Sequence, residues 1–462
     1  MASTAAGVEG SGILVRGPGS RQVRNEVAPA GPRRSRRVRL NVSTTPGRLR
    51  LLLAILVLLS LGWGALAAFA VQQYASAASG VVDTREPLSL DALQIYQRLS
   101  DANDAAATAF LTGGLEPFTV RQRYLADISA AERALEDATA RGGEGNGVTS
   151  ADLRTLAIDL PVYTGEIETA RADNRLGLPL GAAYLREASA LMRAALLPAA
   201  QGLDDAENSS QGTTSAQATG APLIAVTLAV GLGLGGVLYL ASRWLRRRTN
   251  RVLNAGLVVA GAVVVVSLAW LAIAYSGGRS DLLAAQARGS TPVAALARVD
   301  IAAQQAHADE SLTLIDNSGD DVYQQDYLAE ERALGPGPGT LLTAAATAAA
   351  GGPAASAVTS VVRDAKMWSV DHASLRALDD SGKHAAAVQS ALGSGSGEAG
   401  RWFTLLSADL NTAMAESQAA FDSPARAGAG AYAGLEAGVV IAALVIAAGC
   451  AWGLGRRIAE YR

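Results

Sequence analysis

The sequence predicts an all-α, polytopic membrane protein with four transmembrane helices and two extracytoplasmic four-helix bundles related by internal duplication. Three observations predict this: four apolar runs of twenty or more residues, heptad spacing in the long polar segments between them, and no alternating strand pattern. About 20 apolar residues at ~1.5 Å per residue cross the ~30 Å hydrocarbon core of a bilayer. Backbone polar groups in lipid must bond within their own segment, so each run is expected to be helical.

The runs divide the chain into nine parts. Glu436 is the only charged residue within the four runs, which disfavours a transporter or proton pathway, because those need charged groups inside the bilayer. The predicted parts are an Arg-rich arm (1–50), span 1 (51–71), outer segment 1 (72–220), span 2 (221–242), a basic loop (243–251), span 3 (252–275), outer segment 2 (276–434), span 4 (435–454) and a tail (455–462).

Arginine predicts the orientation in the cell (plasma) membrane. The first fifty residues hold ten Arg against two acids, the loop 243–251 holds five Arg, and the tail holds three. Short Arg-rich flanks stay in the cytoplasm, so both termini are predicted to be cytoplasmic. The two outer segments are acidic, with twenty acids against eleven bases and eighteen against ten. They are therefore predicted to face outward.

A cleaved export signal is the competing interpretation of the first span. The stretch 35–40 is similar to a twin-arginine motif, and Ala75-Ser76-Ala77 could serve as a cleavage site. However, the apolar run exceeds the roughly 7–15 residues of a signal core. A retained membrane anchor is the favoured interpretation.

The first outer segment shows the apolar spacing of packed helices. Alternating intervals of four and three residues form the seam that helices crossing at ~20° require. Gly and Pro clusters at 113–117, 141–147 and 176–177 separate four such stretches, and Pro161 predicts a kink in the third. The stretches comprise Leu88, Ala92, Ile95, Leu99, Ala102, Ala106 and Ala109; Tyr124, Ile128, Ala131, Leu135 and Ala138; Leu153, Leu156, Leu160, Tyr163, Ile167 and Ala170; and Leu178, Ala182, Leu185, Ser189, Met192 and Leu196.

The second outer segment repeats features of the first. Tyr327–Ala329 echoes Tyr124–Ala126, and Glu331–Leu334 echoes Glu132–Leu135. The third and fourth helices are predicted from Val358, Val361, Ala365, Trp368, His372 and Leu375, and from Phe403, Leu406, Leu410, Ala413 and Ser417. The Gly-rich stretches 335–339 and 393–400 are predicted connectors. A unit of span, bundle and span is thus predicted to occur twice.

No catalytic or cofactor-binding constellation emerges. His307, His372 and His384 are scattered and lack metal-ligand spacing, and His372 on the bundle seam predicts a satisfied core histidine. Gly231 and Gly235 lie within a span and predict close helix packing instead of a nucleotide loop. Cys450 is the only cysteine, so the outer segments cannot carry disulfides. The chain is therefore predicted not to be an enzyme, with no cofactor, metal or nucleic-acid partner, and its ligand-binding residues stay unknown.

The first fifty residues are rich in Gly, Pro, Ser and Arg and predict a disordered cytoplasmic arm. Contact with anionic lipid headgroups is its simplest role. A docking or phosphorylation site, for instance at Thr44 or Thr45, is the alternative.

Two resemblances bear on function. The stretch Ile95–Asn103, leading to Phe110–Gly113, is similar to the four-helix-bundle ligand domain of bacterial chemoreceptors. The layout of four spans, two outer helical regions and a basic arm, with the ending Arg456-Arg457-Ile-Ala-Glu-Tyr-Arg462, resembles the GlnX-like membrane proteins of actinobacteria. That resemblance implies a relay from an extracytoplasmic solute-binding lipoprotein, specific for glutamine or glutamate, to a cytoplasmic Ser/Thr kinase-type protein.

The favoured hypothesis is a non-catalytic sensor and signal relay between those two partners in the lipid bilayer. A structural or scaffolding protein of the cell envelope, and direct small-ligand sensing by the bundles, are the alternatives. A homodimer is compatible with the Ala-rich seams and the Gly faces but is not required by them.

Overall fold

The computed structural model describes seven stretches of the chain, and they are almost wholly helical, with no strand among them. The protein is therefore all-α, as predicted. Most of the arm 1–50, the loop 142–146 and the end of the tail lie outside the described residues. The described stretches are 45–80, 86–141, 147–206, 222–249, 254–316, 321–395 and 397–459.

Four helices in this part of the chain are long and apolar enough to cross a membrane. They are α1 (Thr45–Gly80), α7 (Pro222–Thr249), α8 (Ala255–Ala285) and α15 (Leu435–Ala459). They form a closed ring in which α1 packs against α15, α15 against α8, α8 against α7, and α7 against α1. Large apolar side chains such as Leu58, Val265 and Ile441 lie exposed on the outside of this ring. Such a surface is suited to lipid tails and not to water.

Close contacts and polar bonds hold the ring together. The Trp63 indole N–H donates to the Thr227 carbonyl oxygen at 3.1 Å and joins α1 to α7. The Asn254 amide caps α8 and also donates to the Gly453 carbonyl oxygen at 2.9 Å. Gly231, a predicted packing position, lies where an added β-carbon would be 2.7 Å from the Trp63 indole nitrogen. Small residues permit such approach where lipid offers no hydrophobic driving force between helices.

Two helices extend beyond the apolar runs that predicted them. Helix α1 begins at Thr45, so the last residues of the predicted disordered arm 1–50 are helical. Helix α7 continues to Thr249 through most of the predicted loop 243–251. Arg side chains on a helix that extends beyond the hydrocarbon can reach the lipid headgroups.

The first outer bundle contains α2 (Glu86–Leu111), α3 (Phe118–Arg141), α4 (Gly147–Arg175) and α5 (Leu180–Leu191). A π-helical turn, Met192–Leu196, joins α5 to α6 (197–206). Gly113 and Gly177 adopt positive φ at two of the predicted breaks, a conformation that costs glycine little. Helix α4 runs through Pro161. Most of the predicted seam residues, among them Ile95, Leu99 and Tyr163, lie in the buried core, whereas Leu178 is exposed.

The second outer bundle is more divided than the four helices predicted. Its elements are α9 (Thr291–Ile315), α10 (Val322–Leu334), α11 (Leu341–Ala349), α12 (Ala355–Asp380), α13 (His384–Leu392) and α14 (Ala399–Gly430). The stretch 335–339, a predicted connector, separates α10 from α11, and its two prolines supply no N–H for a continuous helix. The short α13 was not predicted, because an Ala-rich helix of nine residues is too short to show a clear apolar periodicity.

Two helices of the second unit pass from the ring into the outer bundle. A π-helical turn, Gln286–Ser290, joins α8 to α9 without a break, so 255–315 form one helix of 61 residues. Helices α14 and α15 are separated only by a turn at 431–434. The outer bundle is thus connected directly to two of the four candidate spans.

Candidate functional site

Helices α2 and α9 bring the two outer bundles together along their length. The Gln97 amide donates to the Asp300 carboxylate at 3.1 Å, and His307 Nδ1 hydrogen-bonds to the Asp104 carboxylate. Both pairs are separated by 203 positions, so the helices run parallel and in register. Tyr124 and Tyr327, the tyrosines of the echoed motif, have the same separation.

The interface is polar as well as buried. Nearly every residue from Leu296 to Leu314 on α9 is buried, including Asp300, His307 and Glu310. Burying polar groups costs free energy unless each finds a partner, and the first bundle supplies those partners. Further bonds across the interface include Arg123 to Gln304 at 3.1 Å, Arg193 to Asp309 at 2.5 Å and Arg186 to Asp316 at 2.9 Å.

His307 lies at the centre of this interface. Its ring stacks on Phe403 with 3.6 Å between centroids, and Asp104, its carboxylate partner, is fully buried. Burial alone would lower the pKa of His307, but the neighbouring Asp104 carboxylate outweighs that effect and the pKa is raised. The pair therefore favours an imidazolium held between a carboxylate and an aromatic ring.

A second buried histidine pair lies one layer away in the second bundle. His372 Nδ1 is 2.5 Å from the Glu310 carboxylate, and the His372 ring stacks on Tyr327 at 3.5 Å between centroids. Trp368 meets Tyr327 edge-on at 5.7 Å and lies 6.2 Å from the His307 ring. The aromatic cluster, defined here as Tyr327, Trp368, Phe403 and the two histidine rings, joins α9, α10, α12 and α14.

Several buried carboxylates lie close together at the interface, and the neighbouring arginines do not fully offset the effects of their burial and mutual repulsion. Burial, together with Asp300 and Asp127, raises the pKa of Asp101 well above its usual range. Burial also raises the pKa of Asp309 to about 7, against the opposing effect of Arg193. Asp309 therefore titrates near neutral pH within the contact between the bundles.

A cavity of about 520 Å³ opens in the second bundle beside the aromatic cluster. Its wall includes Tyr327 and Trp368, and its polar lining includes Glu331, Arg332 and Lys366. The Trp368 indole N–H is buried and has no acceptor among the described residues. A smaller polar cavity of about 300 Å³ lies between the bundles, beside Asp204 and Arg298. The larger cavity has the volume of a typical small-molecule site.

The structure brings together residues that looked scattered in sequence. His307 and His372 share the aromatic cluster, whereas His384 pairs with Asp379 at 2.8 Å on an exposed turn. The prediction that His372 is a satisfied core residue is confirmed. Sequence reasoning missed the interface itself, although a signal existed. Polar residues recur at intervals of four and three on both helices: Gln97, Asp101 and Asp104 on α2, and Asp300, Gln304 and His307 on α9.

Comparison with models of known protein families gives a match in the first bundle. A family model described as an actinobacterial sensor domain matches residues 77–216, which contain α2 to α6. No curated protein and no solved structure matches the chain. The match covers the outer bundle that contributes Asp104 to the interface. The chain thus contains a region similar to actinobacterial sensor domains, which indicates a sensing role.

Proposed function

We propose that this protein is a non-catalytic membrane sensor that relays an extracytoplasmic signal through the interface between its bundles. The observation that carries the proposal is the 61-residue helix 255–315, which holds His307 and Asp309 at one end and a candidate span at the other. At ~1.5 Å per residue it is about 90 Å long. A shift, twist or tilt of α9 at the interface would therefore move the span to which it is joined.

The buried polar pairs suit a two-state contact. Charges that lose water regain free energy only in good geometry, so intermediate positions of α9 against α2 are penalised. A slip of one helical turn would exchange one set of partners for another, since the polar residues recur at helical spacing on both helices. The interface could thus favour two discrete arrangements instead of a continuous range.

The partners follow from the resemblance to GlnX-like proteins and complete the proposal. An extracytoplasmic lipoprotein that binds an amino acid would supply the input to the outer bundles. The output would pass to a cytoplasmic Ser/Thr kinase-type protein through the arm, the stretch 243–251 or the tail. Arginine clusters at those three places support a cytoplasmic orientation and offer a surface to an acidic partner.

The relay can be tested without knowing the ligand. Spin labels on Arg247→Cys in α7 and Ala459→Cys in α15, with Cys450→Ser, report the distance between the ring helices at the end remote from the bundles. We expect Asp104→Ala to change the distance distribution measured by double electron–electron resonance in nanodiscs. The exposed Asp422→Ala is the matched control and should leave it unchanged. Identical distributions in all three proteins would refute the coupling.

The input requires a second experiment. The full-length protein in nanodiscs is titrated with the lipoprotein in the presence and in the absence of L-glutamine or L-glutamate. A relay needs different affinities in the two states, because a ligand shifts only an equilibrium to which it binds differentially. Equal affinities would remove this input and would favour the scaffolding alternative.

A further inference from the structure

The 520 Å³ cavity in the second bundle has the composition of a ligand site. It lies between α10, α11 and α12, and Ala306 of α9 contributes to its wall. Most of its wall is apolar, formed by Leu334, Leu342 and Val362 together with the aromatic side chains. Small-molecule sites combine such a lining with a few polar groups that fix orientation.

The polar groups at this cavity carry a positive surplus. Glu331 accepts a hydrogen bond from the Ser369 hydroxyl, and the Arg332 guanidinium donates to the Leu328 carbonyl oxygen at 2.8 Å. Lys366 is exposed at the same cavity and forms no ion pair within the described stretches. Two cations against one carboxylate favour an anionic ligand group.

We propose that this cavity binds a small amphipathic carboxylate. Its apolar body would lie against Trp368 and Tyr327, and its carboxylate would pair with the Lys366 ammonium. An aromatic or branched aliphatic body has the shape and polarity of the wall. The Trp368 indole N–H, which has no acceptor among the described residues, would be available to a ligand oxygen, and buried donors without a partner are rare in proteins.

The cavity shares its wall with the candidate relay. Tyr327 stacks on His372, which bonds Glu310 of α9, and Trp368 lies beside His307 of α9. A ligand that reorients either ring would therefore change the packing of α9 at the interface. This consequence for signalling rests on the proposed relay, whereas binding in the cavity does not.

The two lysines of the chain, Lys366 and Lys383, make a direct test possible. Reductive methylation with ¹³C-formaldehyde labels both in the full chain and keeps their charge. We expect 3-phenylpropionate to shift the Lys366 resonance and to leave that of Lys383, an exposed residue on the turn before α13, unchanged. The neutral 3-phenylpropan-1-ol should leave both resonances in place. Lys366→Arg and Lys383→Arg assign the signals.

Substitutions can separate the ionic contribution to ligand binding from the apolar contribution. Lys366→Gln should weaken 3-phenylpropionate binding about five- to tenfold, as measured by titration calorimetry in nanodiscs. Lys383→Gln should not change it. Ala365→Leu narrows the cavity and should abolish binding of the carboxylate. If that variant does not fold, the wild-type resonances still decide the question.

An unchanged Lys366 resonance at millimolar 3-phenylpropionate would overturn the cavity proposal. So would equal shifts at both lysines, or equal responses to the acid and the alcohol. None of these results bears on the spin-label distances between α7 and α15, so a failure of the cavity and a failure of the relay can be told apart.

Discussion

The buried pair of Asp104 and His307 shows at the scale of one residue why the interface is specific. Both side chains are buried, and the His307 ring hydrogen-bonds to Asp104, whose other oxygen lies 3.4 Å from Arg123. Replacing such a pair by hydrophobic groups can be neutral, but removing one partner leaves an uncompensated polar group. The pair therefore specifies which residues of α2 and α9 face each other more than it adds stability.

Asp104→Ala should consequently destabilise the protein strongly. We expect the free energy of unfolding to fall by about 3 kcal/mol, because His307 would keep its burial and lose its acceptor. Arg123, 3.4 Å from Asp104, would lose a partner as well. Denaturant unfolding of the full chain in detergent micelles measures the change.

Asp422→Ala provides the comparison. Asp422 pairs with Arg426 at 2.9 Å one turn along α14, and both side chains are largely exposed. An exposed pair of this spacing contributes only about 0.3–0.5 kcal/mol. Equal losses for Asp104→Ala and Asp422→Ala would contradict the importance assigned to the interface.

At the scale of single residues, the sequence predicted which side chains are buried better than it predicted their hydrogen-bond partners. His372 was expected on a seam and is buried there. Its bond to Glu310 could not be predicted, because 62 positions separate the two residues and no local periodicity relates them. Asp104 lies beside the apolar seam of α2, where a heptad analysis assigns a solvated face.

At the scale of elements, the junction between α8 and α9 is distinctive. The π-helical turn 286–290 lies against α14, and Ala285, Phe421 and Ala425 form a small buried cluster there. Pro424 in α14 removes one backbone hydrogen-bond donor at the same level. Single π turns often occur at functional positions in helices. The two helices that join the second bundle to the candidate spans thus both lack a complete α-helical hydrogen-bond ladder at the same level.

Gly289→Ala should disturb this junction. An added β-carbon would lie 2.7 Å from the Phe421 Cα atom, so α14 must move or the π turn must change. Backbone cannot yield as a flexible side chain can, and overpacking costs about 1–3 kcal/mol. Thermal unfolding in nanodiscs should show a lower midpoint, and the α7–α15 spin-label distance should shift.

Gly277→Ala is the control on the same helix. An added β-carbon there has open space around it, and alanine favours helix over glycine by about 1 kcal/mol. Its midpoint should be unchanged or slightly raised. If Gly289→Ala had the same unfolding midpoint as Gly277→Ala, the close packing of the π turn against α14 would not be required for stability.

At the scale of the whole molecule, the sequence predicted the spans and the helical class but not the lateral contact of the bundles. The apolar runs are decisive because lipid permits few alternatives. Heptad seams such as that from Leu88 to Ala109 describe only the face of α2 that enters its own core. The opposite face, which meets α9, is polar and has the composition of a solvated surface. The echo of Tyr124 in Tyr327 predicted related units without indicating that they lie side by side.

Because titratable groups fill that contact, the stability of the whole molecule should depend on pH. Asp309 has a pKa raised to about 7 by burial, whereas an unfolded Asp titrates near ~3.9. Between these values the folded state holds a proton that the unfolded state has lost. The contribution of Asp309 to the free energy of unfolding therefore falls as pH rises, by at most about 1.4 kcal/mol per pH unit.

His307 acts in the same direction. Its raised pKa favours the folded state fully below the unfolded value near ~6.5, and this contribution is lost as pH rises through the folded pKa. The midpoint of denaturant unfolding in nanodiscs should therefore fall between pH 5 and pH 8. Asp309→Asn removes one titrating group, so its profile should be flatter. A wild-type midpoint that rose with pH would show that the folded protein does not retain these protons, and the interface would then be held by fully ionised pairs.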